Sequence, residues 1–223
     1  MTTKRSFSLN HISYPAQQQS TGKPPALLLL HGFGANEQDL IGLAPYLDPR
    51  FHIISARAPI NMGWGSFAWY MIDTLPDGSF HYDQEEALQS VYLIDKFIDE
   101  IIEAYDLDPQ RLFLAGFSQG AIQSCALLML NPKKIAGVVA MSGRWPDPVD
   151  AIRVPDERLT GKPVLAVHGL NDPVIQIGFA RQLKKKFEAL PVNFTYQEFP
   201  MAHNISAESL QLVRKWLVER LEE

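Results

Sequence analysis

One pentapeptide combines a nucleophilic side chain with the small residues that a tight turn needs. Gly116-Phe117-Ser118-Gln119-Gly120 matches the pattern G-x-S-x-G. An apolar run, Leu112–Ala115, leads into it, and a nearly all-apolar segment, Gln119–Leu130, leaves it. Between a strand and a helix, this pattern forces the serine into strained dihedrals and lifts its hydroxyl to the top of the sheet. We therefore predict that Ser118 is a nucleophile, against the alternative of a chance match in a glycine-containing loop.

A serine hydroxyl is a poor nucleophile and needs a general base. Among the six histidines, His203 lies in Met201-Ala202-His203-Asn204, between the last predicted strand and the last predicted helix. Proteins that use this kind of serine follow the chain order nucleophile, acid, base, which puts the histidine there. We predict that His203 is the base, against the alternative of a surface-loop histidine.

The histidine in turn needs a carboxylate to orient it. Asp172 follows the predicted strand Val164–Val167 and is our choice. Asp147 and Asp150, which follow the preceding strand, are the rivals. Asp172 also fits a helix N-cap ahead of Pro173, and the two roles can coexist.

Acyl transfer also requires donors for the oxyanion. The residue after the nucleophile, Gln119, supplies one backbone N–H. We predict that Phe33 supplies the other, since Gly32 and Gly34 on either side let the backbone approach a substrate closely. The alternative is a plain strand-to-helix turn, which would also favour glycine.

Other reactive side chains give weaker signals. A metal site built from His31, His168 and His203 would need all three near the strand tops, and no metal-ligand spacing such as H-E-x-x-H occurs. Cys125, the single cysteine, excludes an intrachain disulfide and is expected to be an inert core thiol. We predict no metal and no cofactor.

Short apolar runs alternate with long amphipathic segments, which indicates a mostly parallel sheet with helices on both faces. The predicted buried strands are Ala26–Leu30, Phe51–Ala56, Leu112–Ala115, Ile135–Met141 and Val164–Val167, with Phe194–Phe199 an edge strand and Phe7–Tyr14 an antiparallel starter strand. The predicted helices are Glu37–Leu47, Gln84–Tyr105, Gln119–Leu130, Pro173–Leu190 and Ser206–Leu221. No linker divides the chain, so we expect one domain over residues 1–223.

Two long irregular stretches, Pro59–Tyr82 and Ser142–Pro163, remain. The first leaves the sheet edge where Ser118 is expected, and it is rich in aromatic residues. We predict that Trp69 and Tyr70 in it bind substrate. A satellite core beneath a long loop is an equally weighted alternative.

Composition excludes several classes of protein. Of 223 residues, 20 are Lys or Arg and 25 are Asp or Glu, which gives a net charge of −5. An acidic chain gains nothing from counterion release, which argues against a nucleic-acid partner. The first 20 residues have no apolar run of a signal peptide, and Ala26–Leu30 is far short of the roughly 20 residues that a membrane span needs. We expect a cytoplasmic protein without membrane insertion.

Several motifs together resemble the phospholipase/carboxylesterase family of the α/β-hydrolase superfamily, which includes bacterial carboxylesterases and acyl-protein thioesterases. They are Leu27–Leu40, Ala56-Arg57-Ala58-Pro59, Trp69-Tyr70, Ala115–Ala121 and His168–Ile175. The resemblance covers nearly the whole chain from about Ala26.

The resemblance implies an α/β-hydrolase fold without a large cap domain, with Ser118, Asp172 and His203 as the triad and Phe33 and Gln119 as the oxyanion hole. It implies hydrolysis of small carboxylic esters or thioesters, and several members form homodimers. We expect a serine carboxylesterase acting on short- to medium-chain esters. The alternatives are a thioesterase, a lysophospholipase or a non-catalytic ligand receptor on the same fold.

Overall fold

The computed structural model describes residues 6–18, 22–74 and 80–222. Residues 1–5 of the N-terminal segment and residues 75–79 of the aromatic stretch lie outside them, as do residues 19–21 and 223. The strands in the described residues are β1 (His11–Tyr14), β2 (Ala26–Leu30), β3 (His52–Ala56), β4 (Ile60–Gly63), β5 (Ser66–Ala68), β6 (Asp73–Thr74), β7 (Phe80–His81), β8 (Leu112–Phe117), β9 (Gly137–Met141), β10 (Pro163–Gly169) and β11 (Asn193–Phe199). The α-helices are α1 (Glu37–Ile41), α2 (Gln84–Ala104), α3 (Gln119–Leu130), α4 (Ile177–Glu188) and α5 (Ala207–Leu221).

Seven strands form the central sheet in the order β1-β3-β2-β8-β9-β10-β11. β1 runs antiparallel to β3, and every other pair in this sheet is parallel. The predictions of a mostly parallel sheet, an antiparallel starter strand and an edge strand at the C-terminal end are confirmed. Because the strands are parallel, the loops after β2, β8, β10 and β11 meet at one edge of the sheet, where ligands bind in this class of fold.

Alternate residues of each central strand contribute to two separate cores. Leu28 and Leu30 of β2 pack in the core beneath α2, α3 and α4, whereas Leu27 and Leu29 pack in the core beneath α1 and α5. This explains why β2 is apolar throughout: both of its faces are covered by helices. The sheet is thereby fixed from both sides, and the loops at its edge start from rigid strand ends.

The two irregular stretches contain small elements of their own. Pro59–Tyr82 forms the antiparallel pair β4–β5 and the short pair β6–β7. Ser142–Pro163 contains two 3-10 turns, Asp147–Val149 and Asp156–Leu159. Neither stretch forms a large cap over the sheet edge in the described residues. No helix within those residues is long and apolar enough to cross a membrane.

Candidate active site

Ser118 stands alone between a strand and a helix, in a backbone conformation that a side chain rarely adopts. β8 ends at Phe117 and α3 begins at Gln119, and Ser118 has φ 54° and ψ −116°. Its amide donates to Met141 O of β9 at 2.9 Å, and its carbonyl accepts from the first turn of α3. A non-glycine residue at positive φ persists only where its surroundings enforce it. Here the strand and the helix enforce it together, and the hydroxyl is presented at the sheet edge.

The two glycines of the pentapeptide are required by backbone contact. A Cβ at Gly116 would lie 2.2 Å from Gly120 O. A Cβ at Gly120 would lie 2.0 Å from Leu30 O of the neighbouring strand β2. No side chain fits at either position, so the strand, the turn and the helix pack as closely as they do only with glycine at both.

The structure brings His203 and Asp172 to Ser118. His203 lies in the loop between β11 and α5, and its Nε2 is 3.0 Å from Ser118 Oγ. Its Nδ1 is 2.7 Å from Asp172 Oδ2. An ionised carboxylate can only accept, so Nδ1 carries the proton and Nε2 is left to accept from the serine hydroxyl. This is the tautomer that a general base requires.

The Asp172 carboxylate is held rigidly in the loop after β10. Its side chain has no exposed surface. Oδ1 accepts from the backbone N–H groups of Val174 and Ile175 at 2.8 and 2.9 Å. These contacts fix the plane of the carboxylate and direct Oδ2 toward His203. Asp172 therefore accepts hydrogen bonds from the two following backbone N–H groups through one oxygen, as a helix N-cap does, and orients His203 through the other.

His168, at the end of β10, lies beside the same carboxylate. Its Nε2 is 2.7 Å from Ile175 O and 3.4 Å from Asp172 Oδ2. Burial lowers the pKa of His168 and so favours the neutral ring. Its proton lies on Nε2, because Ile175 O can only accept. The sequence marked His168 only as a strand-end histidine before a glycine, and it gave no sign of the hydrogen bond to Ile175 O seven residues along the chain.

The rival carboxylates have other partners. Asp147 accepts from Arg144 Nη1 at 2.8 Å. Asp150 accepts from Trp145 Nε1 at 2.8 Å and from Lys186 Nζ at 2.6 Å. Neither is hydrogen-bonded to a histidine in the part of the chain that the structure describes. The geometry thus favours Asp172 over both.

The loop after β2 runs directly beside Ser118. A Cβ at Gly32 would lie 3.3 Å from Ser118 Cβ. Gly34, at φ 80°, donates its N–H to Phe67 O at 2.9 Å, and Phe67 N–H donates to Ala35 O at 2.9 Å. This pair of hydrogen bonds fixes the loop to β5. In the described residues, the amide N–H groups of Phe33 and Gln119 donate to no backbone carbonyl.

The aromatic pair lies in the core instead of on an open pocket wall. Trp69 is 0% exposed, and its indole Nε1 donates to His31 O at 2.9 Å. Tyr70 is buried as well, yet its ring borders a small apolar cavity beside α3 that Ile122 also lines. For Trp69, burial and the hydrogen bond to the loop after β2 favour the alternative of a core beneath the long stretch. Contact of Tyr70 with substrate stays a proposal.

The Gln119 side chain ties the aromatic segment to the nucleophile turn. Its Oε1 accepts from Trp69 N at 2.8 Å, and its Nε2 donates to Tyr70 O at 2.7 Å. The sequence pointed only to the backbone of Gln119. The additional role arises because a segment 50 residues away in sequence folds over the start of α3.

The other histidines near the site and the single cysteine have partners or surroundings that leave them outside a metal site or a second nucleophile. His31 is hydrogen-bonded to backbone groups on both ring nitrogens, whereas His168 and His203 face Asp172. The described residues hold no cluster of three or more His, Cys, Asp or Glu side chains able to bind a metal ion. Burial raises the pKa of the Cys125 thiol to about 12, which leaves it protonated and unreactive.

Comparison with known proteins identifies the family of the chain. The family model for phospholipase/carboxylesterase matches residues 14–220. The chain belongs to the phospholipase/carboxylesterase family. This confirms the resemblance drawn from the motifs and assigns the chain to a family of ester-hydrolysing α/β hydrolases.

Individual relatives cover nearly the full length of the chain. Acyl-protein thioesterase 1 of Cryptococcus neoformans is 25% identical over 96% of this chain and 98% of its own length. A probable carboxylesterase of Arabidopsis thaliana, described as SOBER1-like, is 27% identical over 88% of this chain and 79% of its own. The solved structure of the Bacillus cereus carboxylesterase superimposes with a TM-score of 0.81 at 25% identity, covering 95% of this chain and 94% of that one.

Proposed function

We propose that the protein is a serine carboxylesterase that hydrolyses short- to medium-chain esters through an acyl-enzyme. The observation that carries the proposal is the continuous relay from Ser118 Oγ through the His203 ring to Asp172 Oδ2, with separations of 3.0 and 2.7 Å. A nucleophile, a base in the required tautomer and a buried orienting carboxylate are the groups that acyl transfer needs.

In the first half of the reaction, His203 Nε2 takes the proton of Ser118 as Oγ attacks the ester carbonyl. The carbonyl oxygen becomes an oxyanion, and the N–H groups of Phe33 and Gln119 bind it. The imidazolium next to Asp172 then protonates the leaving alcohol. Each such oxyanion donor is worth about 3–4 kcal/mol of transition-state stabilisation.

In the second half, His203 activates a water molecule that attacks the carbonyl carbon of the acyl-enzyme. The same two N–H groups hold the second oxyanion, and its collapse releases the acid and restores the Ser118 hydroxyl. Every group used in these steps belongs to the protein, the substrate or the attacking water molecule.

Two features support a short to medium acyl chain. The apolar cavity bordered by Tyr70 and Ile122 begins one helical turn beyond Ser118. Its volume is about 20 Å³, which is room for about one water molecule. Any acyl group enters only if the lining side chains move, and each further carbon requires the cavity to open more, which places long chains at a disadvantage.

Thioester hydrolysis is the second candidate, because relatives of nearly full-length coverage are named acyl-protein thioesterases. The relay and the oxyanion donors serve both reactions, since the attacked carbonyl is the same. A panel of oxygen esters and matched thioesters of two to twelve carbons decides between them by kcat/KM. We expect the oxygen esters of two to eight carbons to be the better substrates.

Ser118→Ala tests the proposal itself. The variant should fold normally, because alanine is smaller than serine at the strained position, and its turnover of every ester should fall to background. Asp150→Asn, a polar change outside the relay, is the control and should retain activity. A wild-type protein that binds esters without turnover would instead indicate the ligand receptor, and an active Ser118→Ala variant would refute the nucleophile.

A further inference from the structure

The peptide unit that carries the Phe33 N–H is held from its other side by a buried histidine. His31 ends β2 and is 0% exposed. Its Nδ1 is 2.7 Å from Gly32 O, and its Nε2 is 3.0 Å from Ala58 N. Both ring nitrogens are therefore hydrogen-bonded to backbone groups and to none of the three proposed catalytic side chains.

The two partners determine the protonation of the ring. A backbone N–H can only donate, so Nε2 accepts from Ala58. A carbonyl oxygen can only accept, so Nδ1 carries the proton and donates to Gly32 O. Burial also lowers the pKa of His31, which keeps the ring neutral. The neutral Nδ1–H tautomer satisfies both contacts at once.

The held carbonyl and the Phe33 N–H belong to one rigid plane. In a trans peptide the C=O and N–H bonds point in opposite directions, so fixing Gly32 O also fixes the direction of the Phe33 N–H. Gly32 has no side chain to restrict its ψ, and the backbone donor to Gly32 O, Ala35 N–H, lies at 3.3 Å, against 2.7 Å for the His31 ring. The preceding carbonyl, His31 O, is held by the Trp69 indole at 2.9 Å. Two successive peptide units are thereby anchored.

We infer that His31 is a positioning residue that holds the Gly32–Phe33 peptide in the orientation in which its N–H meets the oxyanion. The inference rests on the proposed function, since it assigns Phe33 as a donor in that reaction. His31 touches neither the substrate nor Ser118 in this role. Its effect is confined to the transition state, because the ground-state carbonyl gains little from the same N–H.

Two substitutions separate the two contacts of the ring. In His31→Asn, the amide nitrogen stands close to the position of Nδ1 and can donate to Gly32 O, while the contact with Ala58 is lost. In His31→Gln, the amide oxygen reaches the position of Nε2 and can accept from Ala58 N–H, while Gly32 O loses its side-chain donor and keeps the longer, 3.3 Å hydrogen bond from Ala35 N–H. Each variant removes one buried hydrogen bond, so the two form a matched pair.

The readouts are kcat and KM for a short aryl ester, and Ki for a trifluoromethyl ketone whose adduct places an oxyanion in the same site. For His31→Gln we expect kcat to fall by about 10- to 100-fold, below the effect of losing a donor outright. KM should stay within about twofold, and Ki should rise by about the same factor as kcat falls. His31→Asn should keep kcat within about threefold of wild type.

A purely structural role gives a different pattern. Both variants would then lose stability and activity together, and Ki would move no more than KM; that result would overturn the inference. Histidine-selective ¹⁵N NMR of the wild-type protein at pH 7 tests the tautomer directly and does not depend on whether a variant folds. We expect a neutral His31 protonated on Nδ1, and a cationic ring or an Nε2–H tautomer would contradict us.

The Ser118→Ala variant separates the two levels of failure. If it stays active, the proposed function fails. If it is inactive while His31→Gln binds the ketone as tightly as wild type does, the serine mechanism stands and only the role of His31 is refuted.

Discussion

Replacing Asp172 by asparagine changes one atom and should reverse the tautomer of the base. The asparagine amide has an oxygen and an NH₂ group where the carboxylate has two equivalent oxygens. Its oxygen can take the place of Oδ1, where the N–H groups of Val174 and Ile175 donate at 2.8 and 2.9 Å. The NH₂ group then faces His203 Nδ1, which must accept, and the histidine proton moves to Nε2, where it blocks transfer from Ser118.

The magnitude follows from the two backbone contacts. The alternative amide orientation keeps the useful tautomer but sets the NH₂ group against two buried N–H donors. At about 1 kcal/mol for each lost hydrogen bond, this orientation is disfavoured by about 2 kcal/mol. Only about one molecule in 30 then has the useful tautomer. Losing the negative charge beside the imidazolium adds to this, and a total near 10⁴-fold in kcat matches the same change in serine proteases.

The assay is steady-state hydrolysis of a short aryl ester, with circular dichroism and thermal unfolding as checks of the fold. Asp147→Asn and Asp150→Asn are matched controls, because they make the same chemical change at carboxylates that pair with Arg144 and Lys186. We expect both controls to stay within about threefold of wild type, since surface ion pairs are worth little. An Asp172→Asn variant with more than a tenth of wild-type kcat would refute the reasoning.

Three further predictions concern the frame around the site. Gly120→Ala places a Cβ 2.0 Å from a carbonyl oxygen of β2 and should destabilise the protein by about 3 kcal/mol or more in a denaturant titration. The control Gly178→Ala, at a position with open space around it, should not destabilise the protein. Equal unfolding midpoints for the two variants would contradict the close packing at the turn. Burial lowers the pKa values of His31, His52 and His168 below the usual 6.5. The unfolded chain therefore takes up protons first, so stability is fully present above pH 6.5 and should fall below it by up to about 1.4 kcal/mol per pH unit for each histidine. An unfolding free energy that stays flat from pH 7 to 5 would count against neutral rings at these positions. Trp69→Phe leaves the carbonyl of His31 without its donor and should cost about 1–3 kcal/mol of stability, with an equal fractional loss of kcat/KM for esters of every chain length; a change in chain-length preference would restore Trp69 to the pocket wall.

The sequence predicted the sheet well because its central strands are apolar on both faces. The predicted bounds of Ala26–Leu30 and Gln119–Leu130 coincide with β2 and α3. Prediction was less accurate where side chains capture backbone groups. The helix expected from Pro173 begins at Ile177: Val174 and Ile175 form a separate turn closed by the Asp172 carboxylate, and Gln176, at φ −54° and ψ 145°, is not helical.

Other differences have similarly local causes. The helix expected over Glu37–Leu47 ends at Ile41 and is followed by a 3-10 turn over Ala44–Tyr46 that contains a proline. Proline lacks the N–H that would continue the α-helical ladder. Within Pro59–Tyr82, Gly63 and Gly65, both at positive φ, flank the turn that joins β4 to β5. These glycines were visible in the sequence, but the strands beside them are too short to show a clear alternation.

The residues of the candidate site likewise fall into those that could be predicted from the sequence and those that could not. Ser118, Asp172 and His203 could be chosen from the sequence because each follows a strand in a known chain order. The contacts of His31, His168 and Trp69 could not, because each is a hydrogen bond to a backbone atom whose position depends on the folded loops. Periodicity indicates which residues are buried but carries no information on the acceptor that a buried donor finds.

The nucleophile is the central claim, and covalent labelling tests it most directly. The wild-type protein is incubated with a fluorophosphonate, and the intact mass and the tryptic peptides are measured by mass spectrometry. Ser118→Ala is treated in parallel. The account predicts one adduct per chain, located on Ser118, with loss of esterase activity in proportion to labelling and no adduct on the variant. An adduct at another residue, or hydrolysis that continues at full rate after Ser118 is labelled, would contradict it.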